Sequence, residues 1–187
     1  GIGIGSIDRY LNNEKLHFRE VDSTIATVAN KSNESTVKVN YYGWKTASDK
    51  IDFISELTIK PDQLYTQHTI KASQAIKGIC TGIVKQKTAE LLKKESKNKK
   101  WAYLATYGEQ SLVPDKLGMA IFYEISTIEN IADTDLDYLL VFKPTTKAVT
   151  FYLLGAWEQE VNGIKTKEEF AKYLDKQLEV LNKKGKM

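Results

Sequence analysis

At 187 residues the chain has the length of one domain, and a chain of that size buries roughly 70% of its unfolded surface without needing disulfide or metal staples. Hydrophobic residues make up 42% and charged residues 27%, which excludes a disordered chain, a collagen-like chain and a disulfide scaffold. Twenty-seven basic against 24 acidic residues leave a net +3, far short of the clustered basic balance that a nucleic-acid partner demands.

The single cysteine, Cys80, permits no intramolecular disulfide and leaves the redox compartment open. No apolar run approaches the 18 or so residues of a membrane span. The chain opens on Gly1, which fits a processed or trimmed start. Ten tyrosines, three tryptophans and six phenylalanines with only three prolines favour long strands that keep their ladder donors.

In chain order, the Gly1–Gly5 run (GIGIG) looks faintly like a dinucleotide loop, but it follows no strand and precedes no helix. His17, beside Leu16 and Phe18, reads as a packing residue. The first strand signal runs from Glu34 to Trp44, with Thr36, Lys38, Asn40 and Tyr42 on one face and Val37, Val39 and Tyr41 on the other. Lys50–Lys60 repeats the pattern, and Leu64–Ala72 places Leu64, Thr66, His68 and Ile70 together. Period 2 over three successive segments is the antiparallel-sheet signal. The breaks at Ala47–Asp49 and Lys60–Gln63 carry turn chemistry.

Further strands are expected at Lys77–Val84, Trp101–Tyr107, Leu117–Glu124, Tyr138–Lys143 and Ala148–Gln159. Several are apolar on both sides, so aromatic content and shortness decide for strand over buried helix. Lys93–Lys100 (KKESKNKK) reads as a solvated hairpin loop, because it lacks the aromatic interleaving of a nucleic-acid patch. Glu109–Lys116 reads as a loop ending in a Pro-Asp turn. The C-terminus is helical over about 167–183. Thr166 and Glu169 form a capping box, Phe170, Tyr173, Leu174, Leu178 and Leu181 recur at helical spacing, and Gly185 follows the basic last turn. The whole reads as one mainly β domain over 1–187. It is expected to be an antiparallel sandwich of about ten to twelve strands with one C-terminal helix.

No phosphate-binding loop, nucleophile elbow or HExxH zinc motif is present. Cys80, in an apolar strand, reads as a buried structural thiol. Asp133, Asp135 and Asp137 lack the glycine and closing glutamate of a calcium loop and read as a solvated turn. No metal-ligand set emerges, and no cofactor is expected.

The remaining candidates point to sugar chemistry. His68 lies mid-strand in a run of large polar and aromatic side chains, after Gln67. Trp157 stands beside Glu158, and Trp101, Tyr103, Tyr107 and Glu109 form a second group. An aromatic ring can stack on the C–H face of a sugar while carboxylates accept hydroxyl protons.

Several stretches together resemble the uncharacterised bacterial family called domain of unknown function 4861. They are Tyr42-Gly43-Trp44, Thr81-Gly82-Ile83-Val84, Trp101 to Ser111, Leu117 to Ile121 and Ala156-Trp157-Glu158. The resemblance implies a setting in polysaccharide-degrading bacteria, near genes of pectin or uronic-acid utilisation. The resemblance implies a galactose-mutarotase-like β-sandwich whose concave sheet meets an oligosaccharide, in a periplasmic or secreted setting. It runs to the later part of the family, whose members carry an N-terminal portion without counterpart before Gly1.

The resulting expectation is a protein acting on or binding uronic-acid-containing oligosaccharides by metal-independent acid–base chemistry. His68 is the expected proton donor or base, with Glu158 or Glu109 as its partner. Lys85 would neutralise the uronate, Trp157 and Tyr107 would stack, and Trp101 and Gln67 are further candidate substrate-binding residues. That chemistry requires His68 and Glu158 to share one face of the sheet. A non-catalytic carbohydrate-binding module would instead show an aromatic platform without convergent acid and base. A protein-interaction β domain would show a large exposed apolar patch.

Overall fold

A computed structural model describes all 187 residues. It contains thirteen strands and one α-helix in two antiparallel sheets. The smaller sheet has the order β11 (Ile128–Asp133), β12 (Asp137–Phe142), β7 (Ile79–Val84), β1 (Asp8–Leu11), β2 (Glu14–His17). The larger has the order β3 (Ser23–Asn30), β4 (Ser35–Thr46), β5 (Asp49–Ile59), β6 (Tyr65–Ala72), β13 (Val149–Trp157), β10 (Lys116–Glu124), β9 (Trp101–Glu109), β8 (Ala89–Glu95). The mainly β sandwich with one C-terminal helix is therefore as the sequence suggests. Five strands that the sequence reading did not single out (β1, β2, β3, β8 and β11) bring the total to thirteen.

The main core lies between the sheets. Trp44, Phe53, Ile70, Leu104, Ile121 and Phe151 from the large sheet meet Ile79, Ile83, Leu140 and Phe142 from the small one. The alternation read in β4 and β6 holds: the Val37, Val39 and Tyr41 face and the His68 and Ile70 face both look inward, in register with Leu57, Ser55 and Phe53 of β5. Tyr41 and Trp44 both point into this core although they stand an odd three positions apart. A register shift between them makes this possible, and Gly43 supplies it at φ +64°.

A second core covers the outer face of the large sheet. Helix α1 (Lys167–Lys184) lays Phe170, Leu174, Leu178 and Leu181 onto Tyr103, Tyr107, Phe122, Tyr152 and Leu154. Its capping box is complete: Thr166 Oγ1 accepts from the Glu169 N–H at 3.1 Å, and the Glu169 carboxylate accepts from the Thr166 N–H. Gly185 ends the helix in the left-handed conformation. Gly118 of β10 lies beneath Phe170, and a Cβ there would stand 2.5 Å from the ring. Lys93–Lys100 is the β8–β9 hairpin, with Lys93–Glu95 in strand and a turn beyond.

Candidate functional site

The small sheet is narrower than the large one, and a cavity opens where its β1–β2 edge stops. The segment Gly1–Ile7 and the end of β2 form one wall, and the inner face of β4, β5, β6 and β13 forms the other. The volume is about 620 Å³, within the range of small-molecule sites. Both histidines of the chain line it, with Asp8, Arg19 and Ser55 as further polar groups and Phe18, Tyr41, Phe53, Leu57 and Leu153 as apolar ones.

Each polar group arrives for a structural reason. Residues Asp8 and His17 are direct partners across the β1–β2 hairpin, whose two-residue turn is Asn12-Asn13 with both φ angles positive. That is the hairpin turn asparagine tolerates best after glycine. His17 Nδ1 lies 3.0 Å from Asp8 Oδ2, and Asp8 Oδ1 accepts the Phe18 N–H at 3.0 Å. The Asp8 carboxylate is 6% exposed, whereas the imidazole of His17 is 40% exposed. Behind Asp8, the Lys15 ammonium lies 3.9 Å away and pairs more closely with Asp137, which also accepts the Ile2 N–H at 2.6 Å. Asp137 is thus buried at the start of β12, not part of a solvated turn. Arg19 is exposed on the cavity wall and forms no ion pair.

His68 is buried at the cavity floor, 4% exposed, packed 4.8 Å from the Phe151 ring. Its Nε2 lies 2.7 Å from Ser55 Oγ, and its Nδ1 has no partner. Burial pushes its pKa down to about 4, against a weaker opposing effect of the Gly5 carbonyl, so the ring is neutral at ordinary pH.

The other candidate residues lie elsewhere. Glu158 follows β13 in phase with Tyr152, Leu154 and Ala156, the helix-side face, and accepts the Lys116 N–H at 2.8 Å. His68 is on the inner face, so the sheet itself separates the expected acid–base pair. Glu109 is exposed at the end of β9, away from the cavity. Tyr107 and Trp101 are not stacking platforms: both are buried beneath α1, and Tyr107 packs 5.4 Å from Phe170. Gln67, next to His68 in β6, points to the opposite face for the same alternation reason. Lys85 pairs with Asp133 and lies 4.7 Å over the Tyr138 ring, and it does not line the cavity. Trp157 is 40% exposed, and its Nε1 donates to the buried Asp115 at 2.6 Å. It stands four residues beyond Leu153, about 13 Å along an extended strand. Cys80 is a buried thiol, and burial pushes its pKa far upward.

Sequence reasoning missed Asp8, His17 and Arg19 as site residues. The Asn12-Asn13 pair between RYL and EKL was the available signal: a two-residue hairpin there puts Asp8 opposite His17.

The family model for domain of unknown function 4861 matches residues 1–187. The chain belongs to that family. No curated protein matches it in sequence. Among solved structures it is similar to a protein assigned as a kojibiose phosphorylase, from the human microbiome, with a TM-score of 0.54 and 15% identity. The match covers 95% of this chain and 25% of that one, so the chain spans about a quarter of that protein's length. At this identity the likeness is one of fold.

Proposed function

We propose that this member of the domain of unknown function 4861 family takes a uronic-acid-containing oligosaccharide into the cavity between its sheets. The observation that carries the reading is Arg19, a guanidinium without a carboxylate partner on the wall of a cavity of about 620 Å³ that also holds both histidines. An unpaired, partly hydrated guanidinium offers a fork of donors matched to a carboxylate. Phe18 and Tyr41, in edge contact at 4.8 Å, supply apolar surface for the C–H face of a pyranose. Ser55 and the neutral His68 supply hydroxyl-scale hydrogen bonding at the floor. The fold shared with an assigned sugar phosphorylase agrees with this reading.

Calorimetric titration with galacturonate oligosaccharides and with the matching neutral galactose oligosaccharides tests it. Uronate binding is expected to be the tighter. Arg19→Gln should remove the difference between the two, a loss of about tenfold or more for the acid form. Failure of both series to bind, or an unchanged preference in Arg19→Gln, overturns the reading. Binding without turnover by any variant or by the wild type would favour the non-catalytic module.

A further inference from the structure

We propose, resting on the uronate reading of the cavity, that His17 is its proton-transferring base, positioned by Asp8, and that it acts on the carbon next to the carboxylate held by Arg19. Three independent features of the β1–β2 hairpin support this.

The first is the fixed geometry of the pair. Asp8 and His17 are direct cross-strand partners, so their 3.0 Å contact is set by register and not by loose surface side chains. The second Asp8 oxygen is held by the Phe18 N–H at 3.0 Å. A carboxylate clamped on one oxygen and bonded to Nδ1 by the other keeps the Nδ1–H tautomer and directs Nε2 outward as the basic nitrogen. A carboxylate partner also stabilises the imidazolium that forms when the proton arrives.

The second is the contrast with the other imidazole. His68 is buried at the cavity floor with its Nε2 engaged by Ser55, whereas His17 keeps 40% of its side chain open and its Nε2 without a hydrogen bond. Of the two rings, His17 alone is open enough to solvent to meet a C–H.

The third is the position of the cation. Arg19 is two residues beyond His17, past a bend at Phe18. Both side chains line the same cavity. A uronate seated with its carboxylate on Arg19 thus presents C5, directly bonded to that carboxylate, toward His17.

The chemistry balances without any co-reactant. The C5–H bond breaks, its proton goes to His17 Nε2, and its electron pair moves into the carboxylate, which becomes an enediolate stabilised by the guanidinium. The enediolate then collapses in one of two ways. A solvent-exchanged proton returns from the imidazolium to C5, or the C4–O bond breaks, forming a C4=C5 double bond while the departing oxygen takes the proton from His17. Both begin with the same abstraction.

Proton NMR of galacturonate oligosaccharide with the protein in D2O reads the exchange of H5, and absorbance near the ultraviolet band of a 4,5-unsaturated uronate reads elimination. The wild type should show one of the two. His17→Gln should lose at least about a hundredfold in rate while binding the oligosaccharide within threefold of the wild type. Glu109→Gln, outside the cavity, should keep the wild-type rate. Asp8→Asn should lower kcat by about tenfold or more while oligosaccharide binding stays within threefold of the wild type, because the ring loses the contact that orients it. An unchanged kcat in Asp8→Asn overturns Asp8's positioning role. Uronate binding with neither exchange nor elimination, or an unchanged rate in His17→Gln, overturns the dyad and leaves the binding reading standing. Absence of uronate binding overturns the binding reading itself.

Discussion

Opposite ends of the large sheet are finished differently. At the β9, β10 and β13 end both faces are closed: Leu104, Ile121 and Phe151 meet the small sheet, and Tyr103, Phe122 and Tyr152 lie under α1. At the β3–β5 end the inner face runs out from beneath the small sheet. All eight residues of β3 are exposed, with Ile25 at 52% and Val28 at 66%, and Val37 of β4 at 39%. The polar cavity sits at the boundary. The difference teaches where a sandwich can put chemistry: a fully closed double layer has no room for a ligand, whereas a sheet wider than its partner leaves a step with a dry floor and an open rim.

The closed end should carry most of the folding energy, and breaking it is the most severe test. Phe170 is fully buried, resting on Gly118 and 5.4 Å from Tyr107. Phe170→Ala is expected to cost about 3–5 kcal/mol, through lost transfer energy and the cavity left between helix and sheet. Urea denaturation followed by far-ultraviolet circular dichroism checks it. A cost under about 1 kcal/mol would mean that the helix is an accessory to the sheet and not its second core.

The division between what was legible and what was not follows the same line. β4, β5 and β6 were legible because each has one inward and one polar face, and α1 because its cap, stripe and stop all agree. β3 (STIATVAN) escaped because neither of its faces is buried, so no alternation was imposed on it. β8 escaped because its last residues merge into the charged run Lys93–Lys100. The candidate site suffered from a different ambiguity. Trp101 and Tyr107 are aromatic for the sake of a helix, and a sequence cannot tell such a ring from a sugar platform. His68 lies on β6 and Glu158 just past the end of its neighbour β13, so only the parity of their positions decides the face. The residues that do meet, Asp8 and His17, are both on short strands whose pairing rests on one Asn-Asn turn.

At the boundary, acid should expose the cost of burying His68. Its folded pKa is about 4, below the ordinary 6.5, so between these values the unfolded chain binds a proton that the folded chain does not. Stability therefore rises with pH across this window and falls as pH drops from about 6.5 toward 4. The two pKa values differ by about 2.5 units, equivalent to roughly 3 kcal/mol at full effect. A His68→Gln variant removes that part of the pH dependence. Thermal melts of both proteins at pH 7 and pH 4.5 check it: the wild type should lose more than the variant over that interval. Equal losses would show that the His68 ring gains a proton without unfolding, and that the cavity floor is wetter than its 4% exposure implies.

The open end should be the least sensitive. Val28 faces the same side as Val37, Leu57 and His68, but its own side chain meets mostly solvent. Val28→Thr keeps the β-branched shape and the strand preference while adding a hydroxyl, and it is expected to change stability by less than about 0.5 kcal/mol. The same urea titration used for Phe170→Ala measures it. A cost of 1 kcal/mol or more would sharpen the comparison in an unexpected direction, because a hydroxyl is that costly only where water is excluded. Concentration dependence of the cost would then separate cover supplied by a second copy from cover supplied within the chain. A strand with no charge, proline or bulge to guard its free edge makes this small effect worth measuring at more than one protein concentration.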